Sequence, residues 1–378
     1  MNEFTAAYCT LISSPAQLAQ CREAHSLTAL LQVIKTLWNI HSVDDNQLFA
    51  ELNQLNRKIL DDPSVQLAGT WLPYRYHAKS RSIYWCIPDG HATEPFQDES
   101  ISRYHQKILL NTIIQPRTSL DNLSHQAHRV AKAQPAGFIF HLSRCGSTLV
   151  SGCLSELDST CVLSESPVLT EVLLDRQLDD ATQQLYLQNL IDLQASAFHD
   201  RPKIIIKWNA WDIFHQKLIR ATYPSVPTLF LVRNPVEILA SHQRSSGRHM
   251  SGDPSLGGVD FVFNGNTATP LPLLDFRIRV LQRLMTEMQL TSTREQDLRL
   301  DYRQLNFEQL VDICAFFRIP LSELEAERIR SRLAFHSKFP AQRFHNDSTE
   351  KQNLFSSYDM TRMQQSLMPQ YHRFIEKL

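Results

Sequence analysis

The stretch FIFHLSRCGSTLVSGCL, residues 138–154, places a short polar loop between two apolar patterns. An apolar run ends at Leu142, and an apolar pattern with helical spacing follows Thr148. A helix N-terminus offers unpaired N–H groups and a partial positive charge, and a glycine lets the backbone approach an anion closely. The stretch therefore predicts a strand, a phosphate-binding loop and a helix, with an ordinary strand-to-helix turn as the alternative.

The pattern after residue 136 predicts the fold class. Helical patterns, among them 211–222 and 307–317, alternate with five strand-like runs: GFIFHL (137–142), TCVLSE (160–165), KIIIKW (203–208), TLFLVR (228–233) and DLRLDY (297–302). Such alternation favours crossover connections, and hence an α/β fold whose mainly parallel sheet has helices on both faces.

The N-terminal part of the chain has a different pattern. Residues 15–60 and 100–134 have helical spacing, whereas 65–90 contain short, aromatic, strand-like runs. Pro135 and Gly137 mark a boundary. We predict a mainly helical region with short strands at 1–134 and an α/β domain at 135–378.

Four predicted strands place charged side chains at the same edge of the sheet. In parallel sheets, ligands bind outside the carboxyl ends of the strands. The charged residues at or just beyond these ends are Arg144, Glu165, Lys207 and Arg233. Any one of them could be a solvated strand end, but four together favour an anion site.

The segment after the fourth strand predicts a second anion site. In LVRNPVEILASHQR, Arg233 precedes Asn234 and Pro235, which suit the N-cap and first position of a helix. Ser241 follows Arg233 by eight residues. An arginine with a hydroxyl can bind an anion, and the alternative is a capped surface helix.

These two motifs resemble those of sulfotransferases. SRCGST (143–148) is similar to their 5′-phosphosulfate loop, and LVRNPVEILASHQR is similar to their 3′-phosphate motif, in which a serine follows an arginine by eight residues. The resemblance spans about residues 137–320 and is nearer to the tyrosylprotein branch and to bacterial sulfotransferase-family proteins. It implies a P-loop NTPase-like sulfotransferase fold and 3′-phosphoadenylyl sulfate (PAPS) as the sulfuryl donor. The donor-binding residues would be Arg144, Cys145, Gly146, Ser147, Thr148, Arg233 and Ser241.

The resemblance also implies catalytic roles. Glu165 would take the proton of the acceptor, while Arg144 and Lys207 would stabilise charge on the donor, and no metal would be required. The acceptor would be a small molecule or protein with a hydroxyl or amine. The sequence departs from the family in lacking a clear counterpart of the cytosolic enzymes' histidine base. It also lacks their RKG nucleotide loop, whose place SKFPAQRFHNDSTEKQ (337–352) occupies.

Composition narrows the function classes. The formal net charge of −1 gives no indication of a strongly basic nucleic-acid surface. The seven cysteines include no CxxC pair, which is typical of a reducing compartment. No signal peptide and no run of about 18 apolar residues is found. We therefore expect a cytoplasmic protein without nucleic-acid or membrane partners.

Two other functions stay open at this point. A P-loop nucleotide kinase or other phosphotransferase would use ATP and Mg²⁺, although the GxxxxGK[ST] pattern is absent. A non-catalytic nucleotide-binding protein would use residues 1–130 as a partner module. The glycine-rich stretch 245–266 is either a lid over the site or a surface loop.

Overall fold

The computed structural model describes residues 3–253, 256, 258–263, 271–335 and 354–376, except the side chains of 260 and 261. In chain order the helices and strands are α1 (Glu3–Ser13), α2 (Pro15–Arg22), α3 (Leu27–Trp38), α4 (Asp45–Leu55), β1 (Leu72–His77), β2 (Ser82–Cys86), α5 (Gln97–Lys107), α6 (Leu110–Ile113), β3 (Arg117–Ser119), α7 (Asn122–Ala127), β4 (Gly137–His141), α8 (Ser147–Ser155), β5 (Thr160–Ser164), α9 (Pro167–Leu173), α10 (Asp180–Ser196), β6 (Lys203–Lys207), α11 (Gln216–Thr222), β7 (Thr228–Val232), α12 (Pro235–Arg244), α13 (Val259–Phe263), α14 (Leu273–Thr291), β8 (Asp297–Asp301), α15 (Phe307–Phe316), α16 (Glu323–Leu333) and α17 (Ser357–Ile375).

The α/β fold class predicted from the sequence is confirmed. Strands β4 to β8 form one parallel sheet in the order β5-β6-β4-β7-β8, and each strand ends one residue before its predicted limit. The order places β4 between β6 and β7, where the chain switches from one half of the sheet to the other. Such a switch point is where open α/β sheets bind ligands.

Both faces of this sheet are covered by apolar side chains, as expected for buried parallel strands. On one face, Ile139 belongs to a core that contains Val150 of α8, Leu310 of α15 and Ile329 of α16. On the other face, the ring of Phe140 stacks on Trp208 and on Phe230, with ring centroids 6.0 Å and 5.7 Å apart. Alternate residues of β4 therefore serve opposite faces.

The chain divides into two compact units: Met1–Ala133 with Ser166–Pro202, and Gln134–Glu165 with Lys203–Leu378. The first unit contains the antiparallel sheet β1-β2-β3, α1 to α7, α9 and α10. The segment 166–202 is tied to β1 because Glu171 pairs with Arg75 at 2.7 Å and accepts the N–H of Tyr76 at 2.7 Å. The predicted domain boundary at 134/135 remains a prediction.

Two predicted helical segments differ in detail. The pattern at 211–222 begins as a 3₁₀ helix (Ala210–His215), because Asn209 and Asp212 cap its first turn reciprocally, and α11 covers only the second half. The pattern at 100–134 is interrupted by β3, which pairs with β2. Among the described residues, no helix is long and apolar enough to cross a membrane.

Gly137→Ala tests the packing at the start of β4. A Cβ there would lie 2.2 Å from Cδ1 of Phe317, a core ring that is 1% exposed. We expect the free energy of unfolding to fall by about 1–3 kcal/mol in urea denaturation, because the ring must move. Gly152→Ala in α8 is the control, since only the flexible Arg332 side chain is near, and it should be neutral or stabilising. Wild-type stability for the Gly137 variant would contradict this packing.

Candidate functional site

The loop SRCGST (143–148), which we call the anion loop, leaves the centre of the sheet in an unusual backbone conformation. Ser143 and Arg144 have φ of +66° and +51°, and Gly146 has φ of +90°. Positive φ is uncommon outside glycine, so two such residues in succession make a tightly folded turn. The loop ends at α8, whose first turn has no side-chain cap.

The glycine of the loop is required by packing as well as by its φ. A Cβ on Gly146 would lie 2.6 Å from Cδ2 of Tyr302 and 2.8 Å from Cδ1 of Leu305. Tyr302 and Leu305 follow β8, so the loop backbone is pressed against the next layer of the fold. From the sequence, Gly146 was expected only to let the backbone approach an anion. Its contact with Tyr302 joins distant segments of the chain and was not predictable.

The N-terminus of α8 has donors available for an anion. The N–H groups of Gly146 and Thr148 make no hydrogen bond to any part of the chain that the structure describes. Ser147 and Thr148 are 4% and 8% exposed, so both residues are buried at this helix start. Unpaired amides at a helix N-terminus favour a bound phosphate or sulfate group.

The thiol of Cys145 is a packing group. It is fully buried and donates to the carbonyl of Leu231 at 3.3 Å. Burial raises the pKa of the Cys145 thiol to about 12, which keeps it protonated at neutral pH. Any contact of Cys145 with a ligand would therefore be made by its backbone.

Lys207, the last residue of β6, lies beside the anion loop. Its side chain is 0% exposed. The ammonium Nζ lies 2.9 Å from Oε1 of Glu165 and donates to Oγ1 of Thr148 at 3.3 Å. The structure thus brings together three of the predicted site residues, from three different segments of the chain.

Glu165 is held as an anion by this arrangement. Its backbone has φ of +53°, and its N–H donates to the carbonyl of Lys207 at 2.7 Å. Burial by itself would raise the pKa of Glu165, but the charge of Lys207 and the nearby ring of His141 outweigh it and lower the pKa well below its ordinary value. The carboxylate therefore stays ionised while Lys207 is its partner.

His141 is a site residue that the sequence analysis missed. It lies at the end of β4, is 4% exposed, and places Nε2 3.4 Å from Oε1 of Glu165. Its Nδ1 accepts the N–H of Ser143 at 2.9 Å. The signal was a polar residue inside the apolar run GFIFHL, which a strand pattern alone does not distinguish from a partly exposed position.

Arg233 enters the site from β7, on the other side of β4. Its Nε donates to Oε2 of Glu237 at 2.8 Å, and its Nη2 contacts the same oxygen. Its Nη1 donates to the carbonyl of Arg144 at 3.3 Å, and its guanidinium lies 4.2 Å from the ring centroid of Tyr302. Glu237, four residues after Arg233, was readable as an i,i+4 partner in the sequence.

The predicted start of α12 is confirmed, whereas the role of Ser241 is not tested. The side chain of Asn234 accepts the N–H of Val236, and Pro235 is the first residue of the helix. Ser241 lies further along α12, and its carbonyl accepts the N–H of Ser245. The hydrogen bonds of Arg233 within the described residues go instead to Glu237 and to the carbonyl of Arg144.

The guanidinium of Arg144 contacts the segment after α12. Its Nη2 donates to the carbonyl of Ser245 at 2.8 Å. Burial lowers the pKa of Arg144, and the neighbouring charge of Arg233 adds to this. The positive charges of Arg144 and Arg233 repel each other. In this structure each guanidinium donates to a backbone carbonyl, Arg144 to Ser245 and Arg233 to Arg144.

Two predicted regions cannot be placed. The segment 337–352, which occupies the position of the family's nucleotide loop, lies outside the described residues. The glycine-rich stretch 245–266 is described only in part, so the lid and the surface loop both stay predictions.

Comparison with known proteins gives similarity only to solved structures. No family model and no curated protein matches the sequence. The sulfotransferase STF9 from Mycobacterium avium is 12% identical, with a TM-score of 0.42 over 67% of this chain and 79% of its own. A sulfotransferase from Alicyclobacillus acidocaldarius is 15% identical, with a TM-score of 0.34 over 62% and 96%. Retinol dehydratase, in complex with androsterone and inactive cofactor PAP, is 13% identical, with a TM-score of 0.33 over 66% and 84%.

These values are too low to carry a functional argument.

Glu165→Gln tests the buried ion pair through the pH dependence of stability. Because the pKa of Glu165 is lower in the folded protein than its ordinary value of 4.5, its charge contributes stability that is complete above that pH and is lost on acidification. In urea unfolding at a series of pH values, we expect wild type to lose more stability than the variant from about pH 4.5 downward. Glu23→Gln, at an exposed position, should keep the wild-type slope. Parallel curves for wild type and the Glu165 variant would contradict the ion pair.

Proposed function

We propose that this protein transfers a sulfuryl group from PAPS to a hydroxyl or amine acceptor. The observation that supports the proposal is the arrangement of cations around the anion loop. Lys207 from β6 contacts Thr148 on one side of β4, and Arg233 from β7 contacts the backbone of Arg144 on the other. A donor with two separated anionic groups matches cations spread over three neighbouring strands.

In this proposal the anion loop holds the 5′-phosphosulfate. The open N–H groups of Gly146 and Thr148, the hydroxyl of Ser147 and the guanidinium of Arg144 would donate to its oxygens. Sulfuryl transfer needs in-line positioning and stabilisation of the charge on the departing oxygen. Lys207, already aimed at Thr148, would supply that stabilisation.

Glu165 would act as the general base. In the ligand-free protein its carboxylate is a weak base, because Lys207 and His141 lower its pKa. Once Lys207 turns towards the donor, that attraction weakens and the pKa of Glu165 rises towards the range of a useful proton acceptor. Donor binding would in this way switch on the base.

Arg233 would recognise the 3′-phosphate, with Ser241 as a further donor. The two nitrogen atoms of Arg233 that donate to Glu237 would then donate to the phosphate instead, or to both groups. A phosphate carries more charge than a carboxylate and accepts more hydrogen bonds, so it can compete for the same guanidinium. The acceptor would be a small molecule or a protein.

Two alternatives predict different requirements. A P-loop kinase or phosphotransferase would need Mg²⁺ and would consume ATP, whereas the proposed reaction should continue in EDTA. A non-catalytic nucleotide-binding protein would bind the bisphosphate without turnover.

The proposed 3′-phosphate site is tested by binding. We expect 3′,5′-adenosine bisphosphate to bind more tightly than AMP in calorimetry. A charge-assisted hydrogen bond contributes about 1.5–3 kcal/mol, so Arg233→Ala should weaken bisphosphate binding by about tenfold to a hundredfold. Arg244→Ala, at an exposed position at the end of α12, should have little effect. Equal wild-type affinity for AMP and the bisphosphate would refute the site.

The proposed base is tested by kinetics. Glu165→Gln should lower kcat by about 10²–10⁴-fold and change bisphosphate affinity little, because the amide cannot accept the proton. Glu165→Asp keeps a carboxylate and should retain more activity than Glu165→Gln. If Glu165 is only the ion-pair partner of Lys207, the Gln variant will keep its kcat within a few-fold of wild type.

A further inference from the structure

The imidazole of His141 makes a different contact through each of its two ring nitrogens. His141 ends β4 and leads directly into the anion loop, and its side chain is buried. The proposed chemistry assigns it no step. Its side chain nevertheless contacts both the first residue of the anion loop and Glu165.

Nδ1 of His141 holds the beginning of the anion loop. It accepts the N–H of Ser143 at 2.9 Å, two residues further along the chain. This contact satisfies an amide whose residue has φ of +66° and so supports the left-handed turn before Arg144. A nitrogen that accepts a hydrogen bond carries no proton, so the proton of the neutral ring is on Nε2.

Nε2 of His141 faces the carboxylate of Glu165. It lies 3.4 Å from Oε1 without making a regular hydrogen bond, at a distance where the N–H and the carboxylate still attract each other. Lys207 contacts the same oxygen at 2.9 Å.

The ring is surrounded by groups that keep it neutral. The ones that face it are Glu165, Lys207 and the backbone of Trp208. Burial lowers the pKa of His141 and outweighs the opposing effect of the carboxylate, while Lys207 lowers the pKa further. A neutral ring with one accepting and one donating nitrogen can hold two partners at once.

We propose that His141 is a positioning residue that couples the anion loop to Glu165. Its Nδ1 fixes the loop, and its Nε2–H, which faces Oε1 at 3.4 Å, restrains the carboxylate of Glu165. No bond to the ring forms or breaks. The role of Glu165 as base rests on the proposed function, whereas the coupling itself is a property of the ligand-free protein.

The tautomer of His141 is tested on the ligand-free protein by nitrogen NMR with labelled histidine. The signals of His141 are assigned by their loss in His141→Asn, because the chain has 15 histidines. We expect a proton on Nε2, an accepting Nδ1 and no titration near neutral pH. A proton on Nδ1, or an imidazolium at neutral pH, would overturn the proposal without reference to any nucleotide.

Two variants separate the two contacts. Asn side chains accept from the N–H two residues on, so His141→Asn should keep the contact with Ser143 and lose the one with Glu165. The longer His141→Gln should place an amide N–H near Glu165 and lose the loop contact. Hydrogen exchange at the Ser143 amide should therefore stay slow in the Asn variant and accelerate in the Gln variant. Equal acceleration in both would reduce His141 to a packing residue.

Kinetics and binding show whether the coupling serves the proposed reaction. A hydrogen bond contributes about 0.5–1.5 kcal/mol, so His141→Gln should weaken bisphosphate binding by about three- to tenfold. His141→Asn should bind within about threefold of wild type but lose a similar factor or more in kcat. If both variants lose binding and kcat in proportion to their loss of thermal stability, the proposal is overturned. Failure of wild type to bind the bisphosphate would refute the proposed function, while the NMR and exchange results would still decide the role of His141.

Discussion

The buried ammonium of Lys207 is the constraint on which the site depends. A charge that is fully removed from water costs several kcal/mol unless it is paired and hydrogen-bonded. Glu165 and Thr148 supply the pairing, at 2.9 Å and 3.3 Å. Glu165 makes this contact from a left-handed backbone conformation, and Thr148 makes it from the first turn of α8. The ends of β4, β5 and β6 are thus held together by one cation.

Each cation of the site already has an internal partner. Arg144 is bound to the carbonyl of Ser245, Arg233 to Glu237, and Lys207 to Glu165. A ligand must therefore exchange these contacts for its own, and only the difference in free energy appears as affinity. A ligand with several anionic groups can make all the exchanges at once, whereas one with a single phosphate leaves some of them unmade. If the proposed function holds, selectivity for a bisphosphorylated donor would follow from this.

The features that could be predicted from the sequence are those that depend on a local pattern of residues. Strands β4 to β7 were readable because buried parallel strands are largely continuous apolar runs, and the start of α12 was readable from Asn234 and Pro235. The strand order, the contact of Gly146 with Tyr302 and the pairing of Arg75 with Glu171 were not, since each joins distant segments of the chain. Arg144, Lys207 and Arg233 were found as strand ends, but their partners depend on that long-range order.

The most direct test of the central claim is transfer of labelled sulfate from PAPS to an extract that supplies acceptors, with purified protein and EDTA present. Wild type should produce labelled product and release 3′,5′-adenosine bisphosphate. Lys207→Ala should abolish transfer, because the cation that stabilises the departing oxygen is gone. Absence of transfer by folded wild-type protein, or ATP consumption that requires Mg²⁺, would contradict the account.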